Sequence, residues 1–117
     1  MFLSSFEGIL DSKNRISIPS TFRNTISLSK EKVYLFKSLK YSCLEIHLAS
    51  KINSLIRSFD EKDFFSKKYD HFKTAILSDL EEVSIDKDGR ITLRETHQIF
   101  SKISKDIMFI GKGNHFE

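Results

Sequence analysis

A chain of 117 residues with a net charge of +3 has enough length for one compact unit, and two separate domains of half that size would each be marginal. A single cysteine excludes an internal disulfide and any cysteine-based metal cluster. No apolar run approaches the length of a membrane span, and Met1-Phe-Leu lacks the basic start of a leader, so the expectation is a cytoplasmic chain. The modest charge excludes nothing by itself, but its distribution is informative: residues 1–40 carry seven Lys/Arg against three acids. A basic face of this kind suits phosphate contacts.

In chain order, Phe2, Phe6 and Ile9 precede a turn at Asp11-Ser-Lys-Asn-Arg15 and predict a short strand running into it. Asn14 is a residue that tolerates positive φ. Ile16 and Ile18 alternate with Ser17 as a half-buried strand, which Pro19 ends. Ser20 or Thr21 then caps a short helix through Ile26, with Phe22 and Ile26 inward. Val33-Tyr-Leu-Phe36 and Cys43-Leu-Glu-Ile46 read as a hairpin, with Cys43 a small packed residue at a strand start. Ser50 is positioned to cap a helix carrying Ile52, Leu55, Ile56 and Phe59 on one face. Asp60 opens a second helical run with Phe65, Tyr69, Phe72, Ile76 and Leu80 as its stripe. That stripe is expected to pack on the β core. The turn then recurs at Asp86-Lys-Asp-Gly-Arg90, with Gly89 in the place of Asn14, followed by Ile91-Thr-Leu93. The last expected hairpin joins Ile107-Met-Phe-Ile110 to His115-Phe-Glu117 through Gly111-Lys-Gly-Asn114.

Two copies of one turn–strand–helix motif, Asp11 to Arg23 and Asp86 to Gln98, therefore frame the chain. The first reads D-x-K-x-R-[aliphatic]-x-I-P-x-x-F-R, the second D-x-x-G-R-I-x-L, and G-x-G-N-x-F-E closes the sequence. This set resembles the MraZ family of bacterial transcriptional regulators, built from tandem SpoVT/AbrB-like domains. The resemblance implies a β-rich α+β fold: two pseudo-symmetric halves of swapped-hairpin barrel type, at 5–51 and 81–117, joined by connecting helices at 52–80. It also implies a sequence-specific, nucleoid-associated regulator, chiefly a repressor. Its partners would be double-stranded DNA, at promoter direct repeats upstream of a division and cell-wall gene cluster, and itself, as a ring-shaped homo-oligomer. The family pattern continues beyond Phe116-Glu117 with Ile-Trp and a terminal helix.

The resemblance places DNA contacts on the first motif, where the guanidinium of Arg15 beside Lys13 suits phosphates or a guanine edge. Asp11 orients Arg15 or simply fixes the turn. Arg90, Lys87 and Asp86 are the matching residues of the second copy, which has drifted: Arg94 stands where proline is usual and Gln98 where arginine is usual. Arg23 has two readings, an internal ion pair or a DNA contact. Gly111-Lys-Gly-Asn114 lacks the spacing of a phosphate loop. Asp79, Glu81 and Glu82 read as a solvated helix end. His47, His71, His97 and His115 are scattered, so no metal, cofactor or small-molecule substrate is expected. No catalytic constellation is discernible, and the reading is not an enzyme. An oligomeric β-rich scaffold without DNA binding is the alternative, motivated by the drifted copy and the low net charge.

Overall fold

The structure, a computed structural model, describes residues 1–61 and 65–117. Among them four helices and eight strands form a mixed α+β fold in chain order: β1 (Ser5–Ile9), β2 (Arg15–Ser17), α1 (Ser20–Ser29), β3 (Val33–Lys37), β4 (Leu44–Leu48), α2 (Ala49–Asp60), α3 (Lys67–Asp79), β5 (Glu81–Glu82), β6 (Arg90–Thr92), α4 (Glu95–Ser101), β7 (Asp106–Ile110) and β8 (His115–Phe116). All pairings are antiparallel, in three sheets ordered β1-β7, β2-β6 and β5-β3-β4-β8. Apart from the β3–β4 hairpin, each ladder joins a strand that precedes α2 to one that follows α3. Neither end of the chain completes a sheet alone, as the shortage of length requires.

The expected barrel does not close among the described residues. Pro19 and Arg94 turn the chain into α1 and α4 straight after β2 and β6. These strands therefore stop at three residues each, and among the described residues they pair only with each other. The final expected hairpin is also shared out: β7 pairs with β1 and β8 with β4. Its base nevertheless survives in reciprocal Ile110–Glu117 backbone bonds of 2.8 and 2.9 Å.

Alternation places Ile16 and Ile18 inward, at 4% and 2% exposure, with Ile91 and Leu93 as their counterparts in the main core. Phe22 lies at its centre, edge-on to Phe2 and Phe6 and 4.7 Å between ring centroids from Phe116. The caps differ from expectation. Pro19 rather than Ser20 or Thr21 precedes α1, and Leu48 rather than Ser50 precedes α2, neither helix having a side-chain cap. Extended backbone at both positions carries the chain from strand to helix without a side-chain cap. Helix α2 thus begins ahead of the expected 52. The 62–64 part of the expected connecting span lies outside the described residues.

The helical stripe packs on α2 as much as on the sheet. Ile52, Ile76 and Phe36 form a second cluster, joined by Leu55, Ile56, Phe59 and Leu80. Phe72 and Tyr69 are partly buried and meet Phe59 at 6.3 and 6.4 Å. Phe65 precedes α3 and is 88% exposed, because the helix starts at Lys67 and its periodicity does not extend back to Phe65. Phe22→Ala should therefore cost about 3–5 kcal/mol, whereas Phe72→Ala should cost less than about half of that, by denaturant titration of both variants. Equal losses would show that α3 packs more deeply than described.

Candidate nucleic-acid interface

Each turn motif folds around its own aspartate. Asp11 Oδ1 accepts the backbone N–H groups of Lys13 and Arg15, both at 2.9 Å, while Oδ2 accepts Arg15 Nε at 2.8 Å. Asp86 repeats this: Oδ1 accepts the N–H groups of Asp88 and Arg90 at 2.9 Å, and Oδ2 accepts Arg90 Nε at 3.3 Å. The backbone closes both turns, Asp11 with Arg15 and Asp86 with Arg90, at 2.9 Å. Asn14 and Gly89 take the left-handed conformation these turns need, at φ 62 and 79. A short polar side chain and a glycine are the two solutions with least strain there.

Strands β2 and β6 then pair in the register Arg15↔Thr92, Ile16↔Ile91, Ser17↔Arg90. Beyond this ladder Ile18 donates to the carbonyl of Gly89 at 2.9 Å, and Leu93 donates to that of Asn14 at 2.8 Å. Each turn thus accepts from the strand of the other. Arg23 Nε donates to the Ile18 carbonyl at 2.9 Å, as Gln98 Nε2 does to the Leu93 carbonyl. Arg23 forms no ion pair among the described residues, so that half of its expected role is corrected. Its side chain instead covers Gly89, where a Cβ would lie 2.4 Å from Arg23 Cδ.

Electrostatically the copies are unequal. In the first, exposed Lys13 adds a positive charge, and Arg15 spends only Nε on Asp11 among the described residues. In the second, Asp88 takes the place of Lys13 and accepts Arg90 Nη2 at 2.8 Å, so Arg90 is held by two carboxylates. Lys87 is exposed. Asp11 and Asp86 are held below the usual carboxylate range, chiefly by the N–H groups of Arg15 and Arg90 respectively.

Several residues outside the motifs were not foreseen. Asp79 is no solvated helix end: its Oδ2 accepts the Lys37 N–H at 2.6 Å, and Oδ1 lies 3.2 Å from Nε2 of fully buried His97. Arg94 reaches Glu81 at 3.0 Å and so serves as an internal partner. The Gly111–Asn114 loop is not a phosphate cradle, because Gly111, Lys112 and Gly113 already donate to the carbonyls of Ser4, His115 and Phe2. His47 and His115 stack at 4.2 Å between ring centroids, beside Glu45 and Glu117. The sequence signal was present as Glu-Ile-His at 45–47 and His-Phe-Glu at 115–117, two alternating pairs that an antiparallel register brings to one face. Cys43 precedes β4, and burial with the nearby Glu117 carboxylate pushes its thiol up to about 11.

Fold and site together define an α+β protein that carries two copies of one Asp–Arg turn on a shared two-stranded ribbon. The chain belongs to the MraZ family: residues 1–74 match the family described as "MraZ protein, putative antitoxin-like". Proteins named transcriptional regulator MraZ are similar over the whole chain. That of Pelagibacter ubique is 34% identical, with 76% of its own length covered. The proteins of Gluconacetobacter diazotrophicus and Rickettsia rickettsii are 30% and 32% identical, with 77% and 79% of their lengths covered.

Gly89→Ala should destabilise the fold by roughly 1–3 kcal/mol through its φ and the crowding by Arg23, whereas Asn14→Gly should change stability by about 0.5 kcal/mol or less. Both follow from thermal melts. Because the folded Asp11 and Asp86 titrate low, their contribution is present above the ordinary carboxylate range and is lost as pH falls through their folded values. Carboxyl NMR titration should place both below 3.8. For Cys43 the thiolate is scarce at neutral pH, so native labelling at pH 8 should be slow and should accelerate on unfolding. Equally rapid labelling in both states would refute its burial.

Proposed function

We propose that this chain is a DNA-binding transcription regulator that reads its operator chiefly through the first turn. The carrying observation is the inequality of the two arginines: Arg15 is aimed by one carboxylate and keeps its Nη groups unbonded among the described residues beside exposed Lys13, while Arg90 is neutralised by two. A guanidinium with its terminal nitrogens available is suited to bidentate recognition of phosphate or guanine. The names of the relatives support regulation of transcription. On this reading Lys13 supplies a phosphate contact. Arg23 and Asp11 hold the turns, and Asp86, Lys87 and Arg90 serve the ribbon more than the DNA.

The finer reading follows the family resemblance. The protein acts chiefly as a repressor, in the cytoplasm on the nucleoid, at direct repeats upstream of a division and cell-wall gene cluster. It forms a ring-shaped homo-oligomer of chains arranged as two tandem halves, 5–51 and 81–117, around connecting helices at 52–80. A ring would present several first turns to successive repeats, converting weak single contacts into useful affinity.

Arg15→Ala should weaken binding to repeat-bearing DNA by about 1–3 kcal/mol per site with an unchanged melting temperature, and Arg90→Ala should do less. Lys13→Ala should weaken repeat-bearing and scrambled DNA alike and flatten the salt dependence. Fluorescence anisotropy at fixed salt, beside melting curves, measures all three. Normal DNA binding by Arg15→Ala would reduce the residue to a structural partner of Asp11.

A further inference from the structure

The sheet β5-β3-β4-β8 carries a cluster separate from the turn ribbon. Strands β4 and β8 pair His47 with His115 and Ile46 with Phe116. Alternation therefore places Glu45 and His47 of one strand, and His115 and Glu117 of the other, on a common face. His47 Nε2 lies 2.9 Å from Glu45 Oε1, and His115 Nε2 lies 3.7 Å from the same oxygen and 3.0 Å from Glu117 Oε2. One ligand atom from each of Glu45, His47 and His115 fits within 4.8 Å of the others.

The burial of this cluster points beyond ordinary ion pairs. The four side chains are only 4–15% exposed, and among the described residues no Lys or Arg forms an ion pair with either carboxylate. Two carboxylates thus share a nearly buried face with two imidazoles, an arrangement that a bound cation would compensate. The nitrogen of His47 that faces the cluster is Nε2, which is hydrogen-bonded to Glu45 Oε1 at 2.9 Å. Phe36 stacks on His47 at 5.1 Å between centroids and fixes the plane of the ring.

We propose that Glu45, His47 and His115 form a binding site for one divalent transition-metal ion of the zinc class, clamping β8 to β4. Two imidazoles and one carboxylate are a three-donor set that zinc accepts, with bonds of about 2.0–2.2 Å and a fourth position left for water or the neighbouring Glu117. The 2.9 and 3.7 Å from Glu45 Oε1 to the two imidazole nitrogens bracket the roughly 3.3 Å between donors that such bonds imply at tetrahedral angles, so modest side-chain rotations admit the ion. Imidazole donors favour zinc, cobalt or nickel over magnesium and calcium. Cys43 stays outside the set, its sulfur lying against Glu117 at 3.7 Å.

The test is calorimetric titration of tag-free protein with zinc chloride, in a buffer that does not bind metals, together with cobalt chloride absorption spectra. Saturable uptake of one ion per chain is expected, with a rise in melting temperature that grows with free zinc and no competition from magnesium. His115→Asn should weaken zinc binding by about 100-fold or more, whereas exposed His71→Gln should leave it unchanged. A variant that fails to fold does not rescue the proposal, because cobalt added to the unmutated protein must shift the ring-proton resonances of His47 and His115. Absence of saturable binding overturns the site. So do retention of affinity in folded His115→Asn and cobalt shifts confined to His71 or His97.

Discussion

The structure depends on the reciprocal lock between the two turns. Each Asp–Arg turn needs one left-handed residue, and the carbonyl at that residue accepts the N–H that follows the other copy's strand. A β-ribbon of three pairs would be marginal alone. Here one end is held by the Asp11 turn together with Gln98 on the Leu93 carbonyl, and the other by the Asp86 turn together with Arg23 on the Ile18 carbonyl. Because the lock joins residues near the start of the chain to residues near its end, the remaining strands are brought together in the same sense, β1 with β7 and β4 with β8.

The copies have specialised by what they bury. At the position where the first motif has Phe22, surrounded by aromatic rings, the second has His97, equally buried but bound to Asp79 and close to Arg94 and Glu81. A buried imidazole must be provided with partners, and these come from the end of α3 and the start of β5. The substitution thus ties the second motif to the connecting helices, while the first is tied to the main core. Arg94 and Asp88 belong to the same change: one serves the buried network and the other quenches Arg90.

Most elements were legible because their signals are local. Alternation at Ile16 and Ile18, the paired Asn14 and Gly89, and the spacing from Ile52 to Phe59 each report backbone geometry directly. Failures occurred where partners are remote. Nothing near Asp79 announces that its carboxylate will accept the Lys37 N–H, and Phe65 has the right spacing for a helix that starts too late to include it. His47 and His115 looked scattered because their proximity depends on β4–β8 pairing, a contact between distant parts of the chain. The helix caps were misread for another reason: the chain leaves each strand in extended backbone, so the junction itself serves as the boundary and no hydroxyl side chain is used.

The balance of charge follows from this asymmetry. The first turn carries Asp11 against Lys13 and Arg15, whereas the second carries Asp86 and Asp88 against Lys87 and Arg90. A lone excess charge contributes little at physiological ionic strength, where the screening length is about 8 Å. On the proposed reading, a single chain therefore holds DNA weakly, and useful affinity has to arise from several first turns acting together. The aspartate in each turn is consistent with this economy: by fixing Arg15 through Nε it removes rotamer freedom before binding, so less ordering remains to be lost at contact. On the same reading, neutralising Arg90 in every chain gives up non-specific attraction, and what remains would depend on how the repeats are spaced along the DNA.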